Sequence, residues 1–187
     1  MVFKMIDIIE ITINEFKKNI YDKYIKLFPE EEQRDWKNIE KTHKKNIEKF
    51  YKIQLENITI GFFMLEKLNN DYPFYIDYFA IFNEFQNKGY GTKSIQVLIN
   101  KIVGTNGLIA EIEKESIENP ITIRRVEFYK RLGFNKTGSE YLLYDVLYSP
   151  ITNINCIDKE KMDSIFFDYY KVNGGENAVK AKCKIIK

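Results

Sequence analysis

The densest group of residues able to do chemistry is Gln86-Asn87-Lys88-Gly89-Tyr90-Gly91-Thr92. It stands where an apolar run, Ile76 to Phe82, gives way to a helical one ending at Val103. A strand that turns through glycine into a helix aims backbone N–H groups outward at the positive end of a dipole, which suits a phosphate-like anion. Gly89 and Gly91 remove Cβ atoms that would hold a bulky anion away, and Lys88 and Lys93 add positive charge. A nucleotide-binding P-loop does not fit, because the G-x-x-x-x-G-K-[ST] spacing is absent from Gly91-Thr92-Lys93-Ser94. Glu111 and Glu113 stand two apart in an otherwise apolar run, on one face of a strand near its end. Carboxylates there can take a proton, directly or through a water, or attract a cation; the competing reading is a solvated strand face. The residues leave open which of the two acts. His43 falls on the apolar face of its helix and reads as packed. Cys156 lacks a visible base partner for acting as a nucleophile.

A second segment gives the glycine turn its context. Gln86 to Gly91 resembles the Q/R-x-x-G-x-G/A pyrophosphate loop of the GNAT superfamily of N-acetyltransferases. Arg124-Arg125-Val126-Glu127-Phe128-Tyr129-Lys130-Arg131-Leu132-Gly133-Phe134 resembles that family's helix ending in F-Y-x-x-x-G-F. Order and separation fit as well, and the resemblance covers Ile76 to Phe134. It implies acetyl-CoA as cosubstrate, with the pyrophosphate held by Gln86, Asn87, Lys88, Gly89, Tyr90, Gly91 and Thr92. Gln86 stands where the family often has Arg, which loses a cation and keeps the backbone cradle. The resemblance further implies a mixed sheet splayed at the cofactor. Backbone groups of Phe79, Ala80 and Ile81 would pair with the pantetheine arm and polarise the thioester carbonyl. Tyr129 becomes the candidate general acid, since a phenol stays protonated at neutral pH and can donate to a thiolate; core packing is its competing reading. Many members carry Asn seven residues before this Tyr. Here that position is Thr122, with Asn119 three residues earlier, and both are assigned to the cofactor.

The elements that must position these groups follow from periodicity. Val2 to Ile13 reads as a strand. Asn14 reads as a helix cap before Phe16, Ile20, Tyr24, Leu27 and Phe28 at helical spacing. Pro29 and Glu30–Glu32 open a further helix with Trp36, Ile39, His43 and Ile47 inside. Phe50–Glu56 and Thr59–Leu65 read as a hairpin. The strand, glycine turn and helix follow, with Ile95, Leu98, Ile99, Ile102 and Val103 as one stripe. Leu108–Glu113 is a strand, and Ile121–Leu132 is a helix stopped by Gly133. Ser139–Tyr148 reads as one strand ended by Pro150, and Asn153–Ile157 as a further short one. Asp158 caps a helix with Met162, Ile165, Phe166 and Tyr169 as its stripe. Val179–Ile186 suits a helix or an edge strand equally.

This order predicts an α+β, layered fold with one mixed central sheet flanked by helices. With 187 residues and a net charge of +2, the chain fits one acetyltransferase-like domain over 1–150. The extension, 151–187, would pack on that domain or at a homodimer contact. The near-neutral charge demands neither nucleic acid nor membrane as partner. Two cysteines and no leader fit the cytoplasm, and one histidine excludes a His-rich metal cluster, so no metal is expected. The expected activity is acetyl transfer from acetyl-CoA to an amine of a small molecule or peptide, by direct attack in a ternary complex. The alternative is a non-catalytic acyl-CoA-binding or interaction module, for which Gln86 and Thr122 speak.

Overall fold

The computed structural model describes residues 5–143, 146–155, 157–174 and 183–186. Its described strands form one mixed nine-stranded sheet flanked by helices, as the order of elements predicts. The chain divides into two compact units, Met1–Asn69 with Ile76–Thr105, and Asn70–Tyr75 with Asn106–Lys187.

The first unit opens with β1 (Ile6–Ile11), antiparallel to β2 (Glu48–Leu55), which is antiparallel to β3 (Ile58–Glu66). Next to β3 comes β4 (Phe74–Ile81), of which Ile76 onward belongs to this unit. Gly61 of β3 permits that pairing, since a Cβ there would lie 2.3 Å from the Ala80 carbonyl oxygen. The expected single helix after β1 is two, α1 (Ile13–Asn19) and α2 (Tyr21–Leu27), broken at Ile20. Thr12, not Asn14, caps α1. Its hydroxyl accepts from Glu15 N, while Glu15 Oε2 accepts from Thr12 N, and this capping box fixes the start two residues early. Glu30–Glu32 forms only a 3₁₀ turn, because Asp35 caps α3 (Trp36–Lys44) by accepting from Asn38 N at 2.8 Å. Phe16, Ile20, Tyr24 and Ile39 pack on Phe50, Phe62, Tyr78 and Phe82 as one core. On another helix, α4 (Tyr90–Leu98), Ile95 and Leu98 are buried, and this helix packs against β1. Its last turns, Ile99–Val103, are π-helical.

The second unit contains the first two residues of β4, which pair in parallel with β5 (Leu108–Glu113) at Phe74↔Leu108 and Tyr75↔Ile109. The strand expected over Ser139–Tyr148 is a hairpin instead. It consists of β7 (Tyr141–Leu143) and β8 (Val146–Thr152), with Tyr144 and Asp145 outside the described residues. Pro150 does not end the strand but lies inside β8, opposite Glu111. Before the hairpin, the two-residue β6 (Asn135–Lys136) also pairs with β8. α5 (Pro120–Arg131) packs on β5 and is followed by Gly133 at φ +83°. Asp158 Oδ1 accepts from Lys161 N at 2.8 Å and starts α6 (Lys159–Gly174), whose Met162, Ile165, Phe166 and Tyr169 are buried. The described residues 153–155 are not a strand; Asn153 Oδ1 instead accepts from Leu108 N. β9 (Cys183–Ile185) pairs with β7, and residues 179–182 of the Val179–Ile186 reading, like Cys156, lie outside the described residues.

One buried ionic cluster ties the first unit together. The Arg34 guanidinium donates to Glu48 Oε1 at 3.1 Å, to Glu66 Oε1 at 2.9 Å and to Asp77. It also donates to Thr42, whose hydroxyl in turn donates to Glu48. One guanidinium faces three carboxylates, so the cluster favours retaining a proton. Burial, with the Asp77 charge adding to it, outweighs Arg34 and pushes Glu48 up to about 7. The folded state therefore holds a proton that an unfolded glutamate, with its ordinary value of 4.5, releases earlier. The Glu48 contribution to stability should fall as pH rises from about 4.5 to about 7, and Glu48→Gln should remove that fall, on the order of 3 kcal/mol. Urea midpoints across this range check it; an unaltered slope in the variant would assign the proton elsewhere.

Candidate functional site

In the first unit, Asn87 and Gly89 both take left-handed backbone, at φ 62° and 77°. Two such residues reverse the chain so that α4 begins at once on Tyr90. The left-handed turn at Gly89 fits glycine, and a Cβ there would project into open space. Unlike α1, α3 and α6, α4 has no side-chain cap. Its first intrahelical amide is Lys93 N, bonded to Gly89 O at 3.3 Å. Tyr90, Gly91 and Thr92 thus present first-turn amides, which have no acceptor within the helix, at its positive end.

Gln86 does not take the place of a phosphate-binding cation. Its side-chain amide donates to Ile81 O at 2.8 Å and to Asn83 Oδ1 at 3.0 Å, which pins the turn to the end of β4. Lys88 Nζ donates to Glu84 O at 2.8 Å, so the ammonium is drawn back over the preceding turn. Phe79 stacks on Phe63 with centroids 4.5 Å apart, Ile81 is buried and Ala80 is half-buried. The Gln86 amide thus ties the turn to the end of β4.

The remaining candidates lie in the second unit. Tyr129 on α5 is 8% exposed and contacts the rings of Phe128 and Phe134. Burial pushes its phenol up to about 12, against a small opposing pull from Arg125, so it carries its proton throughout the physiological range. Among the described residues, no hydrogen bond engages that hydroxyl. Glu111 and Glu113 are the two half-buried positions of β5. They are held by different partners. Glu113 Oε1 pairs with Arg125 at 2.7 Å, whereas Glu111 Oε1 accepts from Tyr75 at 3.2 Å and from Tyr170. Thr122 is buried, and its hydroxyl donates to Asn119 O at 2.7 Å and accepts from Ser116 N at 2.9 Å. It closes the loop into α5, while Asn119 is exposed at the helix start. Sequence reasoning missed Tyr75, Tyr170 and the Arg125 pairing. A phenol 59 residues from its carboxylate leaves no trace in spacing.

In the second unit, the F-Y-x-x-x-G-F segment forms the end of α5 and its left-handed Gly133 stop. Solved structures share the fold. A GNAT-family protein from Bacteroides thetaiotaomicron has 20% identity and a TM-score of 0.78, over 90% of this chain and 98% of its own. An Elizabethkingia anophelis GNAT family acetyltransferase, with acetyl-CoA bound, has 18% identity and a TM-score of 0.57, over 79% and 96%. The Escherichia coli ribosomal-protein-S18-alanine N-acetyltransferase has 16% identity and a TM-score of 0.55, over 79% and 92%. No curated protein matches the chain. Residues 13–134 match the Acetyltransferase (GNAT) family, which is more than half of the sequence. The glycine turn, the α5 segment and the elements between them all fall inside that match, and the chain belongs to the GNAT acetyltransferase family.

Proposed function

We propose that this protein moves the acetyl group of acetyl-CoA to the amine of a small molecule or peptide, by direct attack in a ternary complex. The observation that carries the reading is the uncapped start of α4 behind two left-handed residues. Three first-turn amides and a helix dipole suit the diphosphate of a CoA, and their cost in isolation is offset only by an anion or water. Acetyl-CoA bound in the Elizabethkingia anophelis structure supports the choice of donor, and the alanine acted on by the Escherichia coli enzyme supports a protein or peptide amine as one acceptor class.

The donor-holding residues, Phe79 to Ile81 and Gln86 to Thr92, belong to the first unit. Glu111 and Tyr129, the groups suited to move protons, belong to the second. The amine nitrogen attacks the thioester carbonyl carbon, a C–N bond forms and the C–S bond breaks. Glu111 takes a proton from the amine, Tyr129 gives one to the departing sulfur, and solvent resets both. Glu111 suits the base better than Glu113, which would have to leave the Arg125 guanidinium to accept a proton. Tyr129 suits the acid because burial keeps its proton on at neutral pH. Asn119 and Thr122 support the start of α5, and any help they give the cofactor comes through backbone groups there.

Thiol release with acetyl-CoA over a broad amine panel tests the reading. Release with at least one amine is expected; acetyl-CoA binding without release for any amine would favour a non-catalytic acyl-CoA-binding module. Tyr129→Phe should lower kcat by about 100-fold while leaving the acetyl-CoA Kd within about twofold. An unchanged kcat would remove Tyr129 as the acid. Gly89→Ala should weaken acetyl-CoA roughly tenfold by calorimetry, because alanine strains the φ +77° turn and its methyl enters the open approach. Equal affinity in that variant would mean the diphosphate is held elsewhere.

A further inference from the structure

We propose that Tyr170, on the C-terminal helix α6, is a positioning residue that works with Tyr75 to orient the Glu111 carboxylate for proton transfer. The inference rests on the reading of Glu111 as base given above. Both phenols donate to the same oxygen, Glu111 Oε1, Tyr75 from 3.2 Å and Tyr170 from the far end of the chain. Two donors converging on one oxygen fix the rotation of the carboxylate and stabilise its charged form.

Neither phenol is there by loose contact. Tyr170 packs on the rings of Tyr141, Phe166 and Phe167, with centroids 6.1 to 6.3 Å apart. Tyr75 packs on Phe166 and, at 5.1 Å, on Tyr169. Three consecutive α6 residues are each tied across the unit. Asp168 Oδ2 accepts from the Tyr72 hydroxyl at 2.6 Å, the Tyr169 hydroxyl donates to Pro73 O, and Tyr170 reaches Glu111. The helix is thereby registered on the segment 72–75 that leads into β4, and the register aims Tyr170. Among the described residues, titratable groups facing the carboxylate include Tyr75 from β4, Tyr170 from α6 and Tyr141 from β7, whose phenol feels the Glu111 charge. α6 lies wholly beyond the residues 13–134 that match the family, so this chain supplies the support from outside the shared region.

The test titrates the Glu111 side-chain carboxyl by carbon-13 NMR in the full chain labelled at glutamate, with the signal assigned by Glu111→Gln. Tyr170→Phe keeps the ring and removes the donor, so the Glu111 pKa should rise by roughly one unit. Tyr75→Phe should raise it less, and the double variant more. A titration that is the same in all three variants overturns the proposal. The acidic limb of kcat/KM, read by thiol release, should move up by the same amount in Tyr170→Phe, with the KM for acetyl-CoA within about twofold. A purely structural loss would lower the plateau and leave the limb in place. If the NMR pKa moves and the limb does not, the phenols hold a carboxylate that is not the base. That overturns the proposal and the Glu111 assignment while leaving acetyl-CoA as donor. Absence of turnover with every amine counts against the transferase reading alone, and the NMR arm still decides whether the phenols govern the carboxylate.

Discussion

A helix that starts on a left-handed glycine, with no side chain to cap it, leaves its first amides free for an anion or water. That constraint organises the first unit of this chain. Three helices, α1, α3 and α6, use Thr12, Asp35 and Asp158 to quiet their leading N–H groups, whereas α2 and α5 lack a side-chain cap as α4 does. α4 uses Gly89, which has no side chain to offer. The arrangement gives up on the order of 1 kcal/mol of helix stability to leave an anion site open. Gln86 then holds the turn against Ile81, so the amides stay in place without depending on the ligand.

The rigidity of the strand behind that turn has a second source. Arg34 gathers Glu48 of β2, Glu66 of β3 and Asp77 of β4 into one buried cluster two residues before Phe79. Each carboxylate removed from water is costly alone, and each is tolerable only because the guanidinium and Thr42 answer it. The cluster ties the start of β2, the end of β3 and the middle of β4 to one guanidinium. Gly61 then lets β4 lie against β3 at Ala80 and Ile81. Packing, ion pairing and a missing Cβ thus converge on the strand that the donor is proposed to use.

Much of this was legible in the sequence because it is local. The glycine turn, the stripe of Ile95 and Leu98, the Gly133 stop and the Asp158 cap are all read within one or two turns of chain. The errors were local choices overruled by a competing partner. Asn14 lost the cap to Thr12 because Glu15 could close a box with it. Pro150 sits within β8 although proline usually ends strands. The long-range ties were invisible. Nothing in the spacing couples Arg34 to Asp77 or Tyr170 to Glu111, because sheet pairing and helix docking, not periodicity, bring them together. Gln86 reads as a phosphate-loop residue, and spacing gave no sign that its amide also braces the turn by donating to Ile81 O at the end of β4.

The central claim is that backbone amides at the start of α4 hold the diphosphate of acetyl-CoA. Amide proton and nitrogen NMR shifts during a titration with CoA test it most directly. The account predicts that Tyr90, Gly91 and Thr92 show the largest changes in the chain, and that inorganic pyrophosphate reproduces them in part. CoA binding that saturates while these three resonances stay still would contradict it.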